Sequence, residues 1–217
     1  MDEPTSNSLL TLSLVSRRMM NLVDLLLERL MDHALILELF MNSRIGLLEM
    51  ALRSNMLACY RNYSIIGAST FGHVRLLRSL LSDKNNDPSD YNNSAIGVAS
   101  RDGHLEVCRM LLEDQRVNPA GDDDYAIRLA SANGHVEVVK LLLSDERVNP
   151  SSCDNYAIKS ASAKDHSNVV KILLSHPSVD PSANNNYALR SALARGHGQT
   201  VELLQTDERV RLCDVGL

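Results

Sequence analysis

The sequence predicts an all-α solenoid, in which short helix–turn–helix repeats with short finger loops stack in a row. The first observation is a period of 31 residues, which places five histidines at His73, His104, His135, His166 and His197. The second is the scarcity of large rings, since the chain has no tryptophan and only 4% aromatic residues. Because aromatic side chains fill the volume of a single large core, their scarcity favours thin layers of Leu, Val and Ala.

The unit at 125–155 shows the predicted elements in order. Ile127, Ala130 and Ser131 recur at helical spacing and predict a first helix of about two turns. Gly134 should end that helix, because glycine adopts the left-handed conformation after a helix at little cost. The histidine that follows is expected to bridge the turn between the two helices.

The second helix of the same unit is predicted from its apolar positions. Val138, Leu141 and Leu142 should be buried, and a polar loop containing Pro150 should follow, since proline cannot continue a helix. Asn or Asp precedes the first helix of each unit, where its side chain can cap free N–H groups: Asn93, Asp124, Asn155 and Asn186. One such unit cannot cover its own apolar faces, whereas stacked neighbours can.

The period divides the chain into three regions. Residues 63–217 form five units without insertion or deletion, at 63–93, 94–124, 125–155, 156–186 and 187–217. Residues 33–62 are either a degenerate capping repeat or an unrelated pair of capping helices. Residues 1–32 form an N-terminal helical segment.

The second helices resemble those of ankyrin repeats. Residues 103–112 read Gly-His-Leu-Glu-Val-Cys-Arg-Met-Leu-Leu, and residues 134–143 read Gly-His-Val-Glu-Val-Val-Lys-Leu-Leu-Leu. The opening differs, with Tyr-Ala-Ile-Arg where the family has Thr-Pro-Leu-His, and the loop is two residues shorter. The resemblance covers 63–217 and implies an ankyrin-type solenoid that binds another protein.

Residues 9–23 resemble the middle and end of an F-box, without its first helix. Leu-Leu-Thr-Leu-Ser-Leu-Val-Ser-Arg-Arg opens this segment, and Met19 stands where the motif has Trp. The resemblance implies adaptor binding to a Skp-family protein through Leu10, Leu12, Val15, Met19 and Leu22. The alternative is an ordinary amphipathic helix that packs on the first repeat. An F-box/ankyrin substrate receptor of a ubiquitin ligase is thus the second function that the sequence suggests.

Composition and spacing argue against an enzyme and against several partners. The periodic histidines lie about 10 Å apart in a helical stack, too far to share one zinc ion. We therefore expect no catalytic residues, no metal and no cofactor. A net charge of −5 disfavours nucleic acid, and no apolar run is long enough for a membrane span. A monomeric cytoplasmic protein is expected, with a nuclear location left open.

The residues that break the period are the candidate partner-binding residues. By the resemblance, two registers lie on or beside the concave face: Ile66, Gly97, Arg128, Lys159 and Arg190, and Phe71, Asp102, Asn133, Lys164 and Arg195. These positions change from apolar at the N-terminal end to basic at the C-terminal end. The finger loops carry Asp90, Asp122, Asp123 and Asp154, which are expected at solvated tips. Either the basic half favours an acidic segment of a partner, or these charges only solvate exposed helix positions.

Overall fold

The computed structural model describes residues 61–210, which form ten α-helices and no strand. In chain order the helices are α1 (Arg61–Thr70), α2 (Val74–Ser82), α3 (Asp90–Asp102), α4 (Leu105–Glu113), α5 (Gly121–Ala132), α6 (Val136–Leu143), α7 (Ser152–Ala163), α8 (Ser167–Leu174), α9 (Ala183–Arg195) and α10 (Gly198–Gln205). The predicted N-terminal segment 1–32 and almost all of 33–62 lie outside the described residues, as do residues 211–217.

The helices form five consecutive antiparallel pairs that stack in a row. Each second helix, from α2 to α10, begins 31 residues after the one before it. First helices pack on neighbouring first helices and second helices on second helices. The first helices approach one another more closely than the second helices do, and small residues within them, such as Ala99, Ala130 and Ala161, have no exposed surface. The predicted fold class is therefore confirmed.

The core is a thin apolar layer shared by successive pairs. In the third pair Ile127, Ala130, Val138 and Leu142 are buried as the spacing predicts. The prediction for Leu141 is wrong, because this side chain is half-exposed and Val139 is buried in its place. An α-helix of only eight residues turns its positions 138, 139 and 142 toward the first helices, and 141 then lies at the edge of that face.

Three consecutive left-handed residues open each first helix from α3 onward. They are residues 91–93, 122–124, 153–155 and 184–186, with φ between 51° and 61°. Asparagine and aspartate tolerate this conformation better than other residues with a Cβ. Ten of these twelve positions are Asn or Asp, and the exceptions are Tyr91 and Cys153. The conformation thus explains why the loops are so rich in these two residues.

The last residue of each left-handed turn joins its pair to the following one. The Oδ1 atom of Asn93 accepts a hydrogen bond of 2.7 Å from the backbone N–H of Asn118 in the next loop. Asn155 accepts the equivalent bond from Asp180. The expected capping role is therefore wrong for these side chains, because their oxygens face the neighbouring loop. The partner position for Asn186 would be residue 211, outside the described part.

The periodic histidines also reach across the junctions. His104 Nε2 lies 2.9 Å from the carbonyl oxygen of Thr70, and His135 Nε2 lies 2.8 Å from that of Arg101. The backbone of each histidine bridges the turn as predicted, with His104 N–H bonded to the Ala99 carbonyl. Its side chain, however, contacts the preceding pair, which sequence spacing alone did not indicate.

An arginine clamp, made of Asp114 and Arg116 and their equivalents, is a third junction contact. Arg116 binds Asp114 through two nitrogens and donates from Nη1 to the Asn86 carbonyl of the preceding loop at 2.7 Å. Asp145 with Arg147 and Asp207 with Arg209 repeat the arrangement. In each clamp the hydrogen bond from the arginine holds the pKa of the aspartate below its ordinary value. The Asp-x-Arg spacing is present in the sequence, but no junction contact was predicted from it.

The fourth helix pair lacks the clamp, because His176 and Ser178 occupy the two positions. Ser178 Oγ lies 2.9 Å from His176 Nδ1, and within residues 61–210 no guanidinium is bonded to the Val148 carbonyl of the third pair. The Ser178 N–H still bonds to the residue-176 side chain at 3.3 Å, so the loop backbone resembles that of the clamped loops. The junction between the third and fourth pairs therefore lacks the arginine bond, although Asp124 accepts two hydrogen bonds across it.

Restoring the clamp should stabilise that junction. We expect His176→Asp with Ser178→Arg to raise the free energy of unfolding by about 1–2 kcal/mol, since one charge-assisted bond to a carbonyl is gained and the exposed ion pair adds little. Urea unfolding gives the energy, and hydrogen exchange of α7 and α8 should slow. Ser178→Arg alone should gain less, because no carboxylate orients the guanidinium. No change in either measurement for the double variant would contradict the clamp's contribution.

Candidate functional site on the first-helix face

The nine candidate partner-binding residues all lie in the first helices or directly after them. Those of the first register are in α1, α5, α7 and α9, and those of the second register are at the C-terminal ends of α1, α3, α5, α7 and α9. We call this surface the first-helix face. It is defined by the exposed or half-exposed residues Ile66, Phe71, Asp102, Arg128, Asn133, Lys159, Lys164, Arg190 and Arg195.

Tyrosines and cations alternate along the C-terminal half of this face. The guanidinium of Arg128 lies 5.5 Å from the ring centre of Tyr125 and 5.7 Å from that of Tyr156. The ammonium of Lys159 lies 5.9 Å from the ring centre of Tyr187. Each contact across a junction places the cation of one pair beside the tyrosine of the next, at a distance typical of cation–π attraction.

The finger loops contact these same cations. Arg128 donates to the backbone carbonyls of Asp122 and Asp123, at 2.8 and 2.9 Å. Lys159 Nζ lies 3.1 Å from the carboxylate of Asp154. These contacts hold the two basic side chains in place on the first-helix face. The fingers are therefore joined to the candidate face by direct hydrogen bonds.

The aspartates of the finger loops differ in exposure and in their hydrogen bonds. Asp90, Asp122, Asp123 and Asp154 are all exposed as expected. Asp90 in addition accepts a hydrogen bond from Asn62 Nδ2. The residue that follows Asp122 and Asp123, Asp124, is in contrast only 5% exposed. Its two carboxylate oxygens accept from the Asn149 N–H and the Ser152 hydroxyl.

Three of the predicted basic residues come together in one pocket of about 370 Å³. Lys159, Lys164 and Arg195 line it together with Tyr156 and Tyr187. The pocket lies between the first helices α7 and α9. Arg195 donates from Nη1 to the Ala163 carbonyl at the wall of this pocket. The other two predicted basic residues, Arg128 on α5 and Arg190 on α9, do not line the pocket.

The remaining candidates do not join this pocket. Phe71 stacks beside His73 with ring centres 6.1 Å apart, and Ile66 is half-exposed in α1. Asp102 forms an ion pair of 2.8 Å with Arg101, and this hydrogen bond holds the pKa of Asp102 below its ordinary value. Asn133 donates to the Leu129 carbonyl of its own helix. The N-terminal half of the face is therefore separate from the basic pocket.

The tyrosines are the residues that sequence reasoning missed. Tyr125, Tyr156 and Tyr187 keep the period but were not counted among the partner-binding residues. A signal was present, because each stands three residues before the cation of its own unit. Residues three apart lie on the same face of a helix, so the contact of Tyr125 with Arg128 could have been predicted.

Other kinds of site find little support among the described residues. No three His, Cys, Asp or Glu side chains within residues 61–210 are arranged to hold a metal ion. Burial raises the pKa of the Cys108 thiol to about 11, which keeps it protonated and unreactive at neutral pH. In the same part of the chain no helix has both the length and the apolar character needed to cross a bilayer.

Comparison with known families agrees with this geometry. The family model for ankyrin repeats (3 copies) matches residues 56–152 and again residues 127–213. These matches together cover most of the chain, so the chain belongs to the ankyrin-repeat family. No curated protein matches it significantly. Ankyrin repeats indicate a protein–protein interaction module, and the family is generally non-enzymatic.

Proposed function

We propose that this protein is a non-enzymatic, monomeric ankyrin module of the cytoplasm that needs no cofactor. In this proposal residues 63–217 form five 31-residue repeats. The first-helix face binds a partner protein, and its C-terminal half takes an acidic segment of that partner. Nucleic acid and membranes are not proposed as partners.

The basic pocket between α7 and α9 is the observation that carries the proposal. Lys159, Lys164 and Arg195 converge there, although the chain as a whole has a net charge of −5. A local positive site on an acidic protein attracts an acidic segment and orients its approach. Tyr156 and Tyr187 add aromatic surface beside the charges, which is the residue type enriched at interface hot spots.

The N-terminal half of the same face offers a different surface. Ile66 and Phe71 are partly exposed, and no basic side chain of the two registers lies at this end. We propose that an apolar residue of the partner contacts this end while the acidic segment lies over α7 and α9. The two halves together would fix the direction in which an extended segment binds.

The test reverses the charge of two side chains that line the pocket. A displayed random peptide library, selected on the immobilised full chain, should yield peptides rich in Asp and Glu. Lys164→Glu with Arg195→Glu should slow the association of these peptides by about tenfold and flatten its dependence on salt, because steering by charge is lost. Both side chains are exposed, but Arg195 also bonds to the Ala163 carbonyl, so circular dichroism should first show that the variant folds.

A matched control places the same charge change on the opposite helices. Lys140→Glu with Lys171→Glu alters two exposed residues of α6 and α8. These variants should leave the association rate nearly unchanged. Equal kinetics for the wild type and the Lys164/Arg195 variant, or selected peptides without an acidic bias, would remove the acidic-segment proposal.

The second candidate function is that of a ubiquitin-ligase substrate receptor. It is supported by the resemblance of residues 9–23 to an F-box, and this segment lies outside the described residues. In this reading Leu12 and Val15 contact a Skp-family adaptor while the repeats hold the target. Co-purification of the full chain with a recombinant adaptor, and its loss in Leu12→Asp with Val15→Asp, would support it. If the full chain and the adaptor do not co-purify, the second candidate function is rejected and the first one remains.

A further inference from the structure

The pocket between α7 and α9 differs from the equivalent places at the two preceding junctions. Ser160 and Lys164, which line it, correspond to Leu129 and Asn133 between α5 and α7. The larger leucine and the neutral amide make that junction fuller and less basic. Between α3 and α5 the same positions are Val98 and Asp102, an apolar and an acidic residue. The pocket thus has a smaller wall residue and a more positive lining than the equivalent places at the two preceding junctions.

The charges around the pocket nearly match a dianion. Three cationic side chains line it, and within residues 61–210 the one carboxylate bonded to them is that of Asp154, 3.1 Å from Lys159. The local balance is therefore about two positive charges. A carboxylate would neutralise one of them, whereas a phosphoryl group carries about −1.5 to −2 at neutral pH.

The pocket also holds enough hydrogen-bond donors for such a group. Arg195 uses Nη1 on the Ala163 carbonyl, and the rest of its planar guanidinium can bind two oxygens at once. Lys164 is exposed at the end of α7. The Lys159 ammonium has three N–H groups, of which one is bonded to Asp154. Tyr156 and Tyr187 flank the cations and can cover the carbon atoms of the phosphorylated residue.

Building on the proposed function, we infer that this pocket binds a phosphorylated side chain of the partner's acidic segment. The phosphoryl oxygens face Lys159, Lys164 and Arg195, and the neighbouring peptide residues lie along α7 and α9. Phosphorylation of the partner would then strengthen a contact that the acidic segment alone makes more weakly.

Short synthetic peptides test this with the full-length chain. Three fluorescent peptides of otherwise identical Gly-Ala sequence carry phosphoserine, serine or glutamate at the centre, and their binding is measured by fluorescence anisotropy. The phosphoserine peptide should bind at least about tenfold more tightly than the glutamate peptide, since it adds charge and acceptor oxygens. Lys164→Ala with Arg195→Ala should abolish this preference. The control Lys140→Ala with Lys171→Ala should keep it, and circular dichroism confirms that both variants fold.

Each other outcome overturns the inference and separates it from the proposed function. If the phosphoserine and glutamate peptides bind with equal affinity, and the Lys164/Arg195 variant binds neither, the phosphoryl pocket is rejected. The site for an acidic segment then remains. Absence of binding by all three peptides rejects the pocket, while peptides from the library selection still test the proposed function. A single-stranded oligonucleotide that binds as tightly through the same two residues would show a general polyanion site instead.

Discussion

Gly103→Ala is expected to lower the free energy of unfolding by about 3 kcal/mol, because two costs add at this position. Gly103 ends α3 in the left-handed conformation, with φ of 78°. A Cβ atom there would lie 2.6 Å from Nδ1 of His135, far inside normal contact. The ring would have to move and would lose its bond to the Arg101 carbonyl. Urea unfolding followed by circular dichroism measures the loss.

Gly196 provides a matched control for this variant. It ends α9 with φ of 72°, and a Cβ atom there would meet nothing within 4 Å. Gly196→Ala should therefore cost only the conformational strain, about 1 kcal/mol. The difference between the two variants isolates the packing of the histidine against the preceding pair. Equal losses would show that the histidine contact contributes nothing.

Asp124→Ala should also cost about 3 kcal/mol. The buried carboxylate accepts the Asn149 N–H at 2.7 Å and the Ser152 hydroxyl at 2.5 Å, both from the following loop. Alanine removes both acceptors, leaves a backbone N–H without its partner, and is disfavoured at φ of 59°. Thermal and urea unfolding of the variant give the energy.

Two substitutions separate the causes of that loss. Asp124→Asn keeps the oxygen that faces Asn149, and the serine hydroxyl can turn to accept from the new amide, so the cost should stay below about 1 kcal/mol. Asp123 is also left-handed, but its side chain is exposed and, within residues 61–210, forms no bond across the junction. The loss of unfolding free energy in Asp123→Ala therefore measures the backbone strain alone. If the asparagine variant were as unstable as the alanine variant, negative charge rather than hydrogen bonding would explain the role of Asp124.

The repeat period made the fold predictable, because it fixes helix boundaries five times over. His135 and Gly134 lie at the turn where the spacing places them, and Ile127 and Ala130 are buried. Leu141 was misplaced because an apolar residue at the edge of a short helix face has the same spacing as one inside it. Pattern alone does not tell which of two adjacent leucines the neighbouring helix covers.

The junction contacts were less accessible to sequence reasoning. Asn93 reaches a backbone group 25 residues away and His104 one 34 residues away, and neither separation appears as a pattern of residue types. A cap for the helix that follows is the simpler local interpretation of Asn93. The clamp of Asp114 and Arg116 could have been found, because both members keep the period in three units.

The candidate site was predicted in part. The change from apolar to basic positions singled out Lys159, Lys164 and Arg195 as residues of one surface. The pocket on which they converge is also lined by Ser160, a smaller residue than the leucine at the equivalent position of the preceding unit. Such a difference in volume becomes meaningful only when the walls of the pocket are known.

The absent clamp between the third and fourth pairs has a mechanical consequence. In a row joined only between neighbours, a pulling force passes through the junctions one after another, and each junction can open separately. The junction between the third and fourth pairs lies between those that Arg147 and Arg209 reinforce. Both walls of the basic pocket, α7 and α9, lie on its C-terminal side. Opening of this junction under force would therefore leave the basic pocket whole.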